Sequence, residues 1–197
     1  MKRLSVFIVL CAAICFVAQS EDETKQFPGW SPLTIATGSL PQGFKCKPMV
    51  DKKIGTWLKL SLGGSTDAIV KLRCMKGNRP DASDPVARIV YLSNGSTYLM
   101  ENIPEGIYYV EAAYGNLYYR NDKQKKKCRF MEDCYFVRLK EMLDFSLVKE
   151  TLDDGRTKVT TPRYELTLQL NINNHTLDEE GVRKVENMKI SEEDFYR

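Results

Sequence analysis

From Thr56 onward the chain alternates between apolar and polar positions. Leu58, Leu60 and Leu62 take every second place against Trp57, Lys59 and Ser61, a period of two that puts the leucines on one face of a strand. Val70, Leu72 and Cys74 alternate in the same way with Lys71 and Arg73, and Gly63-Gly64-Ser65 between the two runs predicts a hairpin. The loop Gly77 to Pro85 separates a second group. Ala87 to Leu92 is dense in β-branched and aromatic residues. Asn94-Gly95 marks a tight turn, Thr97 to Met100 returns as a strand, Pro104-Glu105-Gly106 turns the chain again, and Ile107 to Tyr114 runs as an aromatic strand.

The pattern continues past a basic run, Lys123 to Arg129, which self-repulsion predicts to be a solvated loop or hairpin tip. Cys134 to Leu139 reads as a strand. Phe145 to Glu150 is expected to pair with Thr157 to Thr161 across Asp153-Asp154-Gly155, and Tyr164, Leu166, Leu168 and Leu170 share one face of a last strand. Short strands at this spacing predict an all-β fold, a single antiparallel β-sandwich over residues 55–172. Residues 21–54, rich in Pro and Gly, are expected to form an extended segment across the domain. Residues 173–197 read as a polar tail with helical turns near Glu179 to Met188 and Ser191 to Tyr196, the latter capped by Ser191.

The first twenty residues break this pattern. Lys2 and Arg3 precede an uncharged apolar run from Leu4 to Val17, and Ala18-Gln19-Ser20 offers small residues for cleavage before Glu21, so residues 1–20 read as a signal peptide. About 14 apolar residues fall short of the roughly 20 that span a bilayer, and no other segment qualifies, so no transmembrane segment is expected in the mature chain. Bulky Leu10 and Ile14 sit where a small residue would precede a lipidated Cys11 or Cys15. The expected location is periplasmic, cell-surface or secreted.

Export changes how charge and cysteine are read. Lys and Arg outnumber Asp and Glu 29 to 26. Without Lys2 and Arg3 the mature balance is near neutral, which gives no reason to expect nucleic acid as a partner. Four cysteines remain, Cys46, Cys74, Cys128 and Cys134, and an oxidising compartment favours disulfides, with Cys128–Cys134 and Cys46–Cys74 the preferred of three possible pairings. No C-x-x-C pair appears and His175 is the single histidine, so neither a metal site nor a cofactor is expected. No G-x-S-x-G, H-E-x-x-H or phosphate-cradling motif appears, and no catalytic residue is assigned.

Two features remain as candidates for partner contact. Tyr108 and Tyr114 share parity with Val110 and Ala112 and belong to the core, whereas Tyr109 shares its face with Glu111 and is expected at the surface with Tyr118 and Tyr119, where amphipathic rings favour protein or sugar contacts. Lys125, Lys126, Lys127 and Arg129 could engage an anionic surface, or simply keep a strand edge soluble.

The stretch Ser96 to Gly115, STYLMENIPEGIYYVEAAYG, resembles the centre of carboxypeptidase-regulatory-like and Cna-B-type sandwich domains: an apolar residue, Ile103, a Pro-x-Gly turn at Pro104-Glu105-Gly106, then the strand Tyr108 to Tyr114. The mature chain is also similar to small exported Bacteroidetes-type proteins of unknown function, in Tyr114-Gly115-Asn116 and the acidic-aromatic end Ile190 to Tyr196. The resemblance implies a transthyretin-like or immunoglobulin-like sandwich in an accessory or structural role, and brings no catalytic residue. The expectation is a non-catalytic exported module binding a protein or glycan at the cell envelope. Its rivals are a structural envelope component and a hydrolase with an unfamiliar site.

Overall fold

The computed structural model describes residues 27–169 and 187–197. The signal-peptide reading, Cys11 and Cys15, Leu170, His175 and the helical reading of 179–186 lie outside the described residues. The fold is all-β. Its strands are Trp30–Pro32 (β1), Trp57–Gly63 (β2), Asp67–Cys74 (β3), Val86–Leu92 (β4), Thr97–Glu101 (β5), Ile107–Asn121 (β6), Cys128–Asp144 (β7), Val148–Thr151 (β8), Thr157–Thr160 (β9), Arg163–Gln169 (β10) and Asn187–Lys189 (β11), followed by the short helix Glu192–Tyr196 (α1).

One sheet has the order β11-β7-β6-β3-β4, with β1 added to the end of β6, and the second has the order β10-β2-β5. Pairing is antiparallel except where β10 runs parallel to β2. The alternation read from sequence builds the core between the sheets: Leu58, Leu60, Leu62, Leu166 and Leu168 from the smaller sheet meet Val70, Leu72, Val110, Ala112 and Val137 from the larger. As expected, β8 and β9 pair across the Asp153-Asp154-Gly155 turn, as a separate two-stranded ribbon.

The expected β2–β3 hairpin is not formed. β2 pairs with β5 and β10, while β3 pairs with β4 and β6 in the other sheet. Strands paired in one sheet would set their leucine faces side by side. The chain instead turns a corner at Gly64, φ +102°, so the two apolar faces bury each other. Asn94-Gly95 and Pro104-Glu105-Gly106 do turn the chain, and they too carry it from one sheet to the other.

The larger sheet is buried on both faces, which alternation within single strands does not reveal. Its outer face carries Ile69, Ile89, Tyr91, Ala113 and Phe136, packed under Leu33, Ile35, Phe44 and Cys46 of the N-terminal segment and Ile190, Phe195 and Tyr196 of the chain end. The N-terminal segment lies across the domain as expected, hydrogen bonding along β4 through Gly38 N to Tyr91 O, Tyr91 N to Ser39 O, and Met49 N to Ala87 O. The chain end corrects the polar-tail reading: β11 extends the sheet beside β7 where helical turns were expected to reach Met188, and Phe195 is fully buried. The Ser191 cap is as expected, its Oγ accepting from Asp194 N.

Lys71, Arg73, Tyr109 and Glu111 therefore do not face water. Glu111 accepts from Arg73 Nε at 2.7 Å and from Arg138 Nε and Nη2 at 3.1 and 2.8 Å. Arg73 also donates to the Ala82 and Asp84 carbonyls, and Tyr109 to the Asp81 carbonyl, so the loop before β4 folds over this network. Lys71 Nζ donates to the Phe195 carbonyl and stands 5.3 and 4.7 Å from the Phe44 and Phe195 ring centres. Burial, with the nearby Arg73 charge, brings its pKa down to about 8.

Candidate binding cleft

Strands β6 and β7 form a long hairpin whose tip presents the basic run. Asn121 fixes the turn: its Oδ1 accepts from Lys123 N at 3.1 Å and Gln124 N at 2.7 Å, and its own N–H donates to Lys127 O. The N-terminal segment passes against this tip at Gly43. A Cβ there would stand 3.0 Å from Cys128 Cβ and 3.1 Å from Lys126 O, and φ is +100°, so both space and backbone require glycine. Phe44 follows and stacks on Tyr196 of α1, ring centres 5.5 Å apart.

These three pieces enclose a cleft of about 680 Å³. Lys126, Lys127, Cys128 and Arg129 line one side, Glu192, Glu193 and Tyr196 the other, and Gly43 and Phe44 lie between. The size suits a small ligand or a short stretch of a larger one. Arg129 stands 4.9 Å from the ring centre of Trp30, which lines a second cleft of about 480 Å³ with Phe27 and Tyr119. Tyr196 Oη is buried with no hydrogen-bond partner among the described residues. Burial and the Glu192 carboxylate push its pKa up, so the hydroxyl keeps its proton and remains a donor.

The structure divides the expected contact residues. Lys126, Lys127 and Arg129 come together at the cleft, and Lys125 is exposed on the same tip. Tyr109, Tyr118 and Tyr119 are not surface residues: all three are buried. Tyr109 lies on the covered outer face of the sheet. A register shift between Tyr114 and Asn116, with Leu117 at φ +56°, precedes Tyr118, which joins the outer-face cluster and donates to the Gln42 carbonyl. Tyr119 packs edge-on to Phe27. Phe44, Glu192, Glu193 and Tyr196 were missed, because their place at the cleft depends on the two chain ends meeting over the sheet.

The disulfide pairings also need correction. Cys46, Cys74, Cys128 and Cys134 are all free thiols. Cys128 and Cys134 both lie on β7, and their thiols turn to different carbonyls, Cys128 Sγ to Lys125 O and Cys134 Sγ to Phe130 O and Glu132 O, with no bond between them. Cys46 packs into the outer-face cluster and Cys74 into the core between the sheets, so the larger sheet stands between them.

Burial pushes the Cys128 thiol up, which makes it a poor nucleophile near neutral pH. Among the described residues no group of three or more His, Cys, Asp or Glu side chains could hold a metal ion, and no helix is long and apolar enough to cross a membrane. What the cleft offers is recognition: three cationic side chains opposite a carboxylate rim. The fold and cleft define an all-β sandwich with a mixed-charge surface cleft. No protein-family model, curated protein or solved structure matches the chain.

Proposed function

We propose that this protein is an exported, non-catalytic β-sandwich module that binds a protein or glycan partner at the cell envelope, through the cleft between the β6–β7 tip and α1. The observation that carries this reading is a cleft whose basic side, at Lys126 and Lys127, has no ion-pair partner among the described residues and faces carboxylates across the opening. Unpaired cations on one wall and carboxylates on the other fit a surface completed by a charged ligand.

The test is retention of envelope components and glycan-array ligands by the immobilised mature protein, compared with the Lys126→Glu/Lys127→Glu variant. The expected result is a ligand retained by the wild-type protein and lost by the variant. Equal retention by both, or none by either, would count against the cleft as a binding site.

A further inference from the structure

We infer that the occupant of this cleft is an extended protein segment carrying acidic and basic side chains close together. The inference rests on the binding reading above and narrows it by charge and by ring geometry.

A neutral sugar is usually held by an open aromatic face, and the cleft does not provide one. Phe44 is stacked on Tyr196 on an almost parallel plane, and the Lys71 ammonium stands 5.3 Å from its ring centre. Tyr196 in turn meets Phe136 and Phe195 at steep angles, 68° and 88°. The π-surfaces are thus committed to protein neighbours, and Trp30 in the adjoining cleft has Arg129 over its ring.

A polyanionic glycan fits no better, because the sides of the cleft differ in sign. Lys126 and Lys127 would attract its acidic groups, but Glu192 and Glu193 face the same space and would repel a ligand bearing negative charge at every unit. A protein segment can present a carboxylate to the lysines and a cation to Glu192 within a few residues.

Selection of a random dodecapeptide library displayed on phage against the folded mature protein would test this, with a glycan array in parallel. The expected outcome is enrichment of peptides holding both Asp or Glu and Lys or Arg. Lys126→Glu/Lys127→Glu should reduce their retention by about tenfold, the scale of one lost charge pair, and Glu192→Lys should shift the selection toward purely acidic peptides. If glycans bind in a Lys126- and Lys127-dependent way and no peptide is enriched, the segment is wrong and the binding reading stands. If neither class binds through the cleft, both fail. Purely acidic peptides selected by the wild-type protein would remove Glu192 from the argument and overturn the mixed-charge inference.

Discussion

Glu111→Ala should destabilise the protein by about 3–5 kcal/mol, because it removes one partner from a buried ion network. Glu111 is 1% exposed and Arg73 2%, so neither group has water to fall back on; Arg138, at 16%, can turn outward. The substitution deletes three charge-assisted hydrogen bonds and leaves the Arg73 guanidinium held only by the Ala82 and Asp84 carbonyls. Arg73 Nη2 already lacks a partner among the described residues, so the site has no spare acceptor. Against a total stability of roughly 5–15 kcal/mol, the loss is a large share. Urea denaturation would measure it directly, and a thermal scan should show the midpoint lowered by about 6–20 °C. A second variant isolates the cause: Arg73→Met/Glu111→Met removes both members of the pair and should recover more than half of the loss, since an apolar replacement avoids the stranded charge. A cost below about 1 kcal/mol for Glu111→Ala would refute the claim that this network is dry.

Three further outcomes concern the buried lysine, the thiols and the hairpin tip. Lys71 has a pKa of about 8 in the folded chain against an ordinary value near 10.4, so between those values this group binds fewer protons when folded than when unfolded, and its contribution to stability should rise with pH. Above about pH 10 the buried tyrosines, which resist ionisation when folded, reverse the trend. The Cys46, Cys128 and Cys134 thiols, raised by burial, pull the other way from about pH 8. The urea midpoint of the wild type measured against Lys71→Met should therefore climb from about pH 7.5 to 9.5; a difference that stays constant would exclude Lys71 as a source of pH dependence. Alkylation of the folded protein followed by peptide mapping should label exposed Cys134 before Cys128, and Cys134 itself should react more slowly than a free thiol because burial of the sulfur raises its pKa. Recovery of an intact Cys128–Cys134 disulfide would contradict the free thiols on β7. Replacing Lys125, Lys126 and Lys127 together by alanine should change the thermal midpoint by no more than a degree or two, since these exposed side chains make no packed contact that holds the hairpin; a large drop would give the tip a structural role.

The strands and the inter-sheet core were legible because period-two alternation is a local signal and the outcome obeyed it. Leu58, Leu60 and Leu62 share a face, as do Tyr108, Val110, Ala112 and Tyr114, and each set enters the core it was expected to enter. The same logic failed one face further out. Lys71, Arg73 and Glu111 have the composition of a solvated stripe, and Tyr109 was assigned to the surface by parity with Glu111. What inverts the reading is a set of distant segments covering them: the loop at Asp81 to Asp84, the chain around Phe44, and the residues from Ile190 to Tyr196. Pairing across neighbouring strands lets Arg73 and Arg138 share Glu111, and that arrangement depends on register rather than on any one strand's pattern. The cleft was half legible for the same reason. Its lysines stand out as a charge run, while its acidic and aromatic side comes from a helix of five residues whose docking no local signal announces.

That origin ties binding to the state of the chain end. The cationic side of the cleft belongs to the β6–β7 hairpin, and the acidic side exists only while α1 is docked by Phe195, by the Lys71 ammonium on the Phe195 carbonyl, and by β11 beside β7. A ligand touching both sides binds the docked form alone, so it must stabilise that docking by the same free energy that docking contributes to its affinity. Phe195→Ala should then weaken the ligand without touching any group that meets it, and saturating ligand should protect the amides of Asn187 to Lys189 from hydrogen exchange. Unchanged exchange in β11 on binding would mean that the two sides act separately, with the hairpin lysines alone holding the partner.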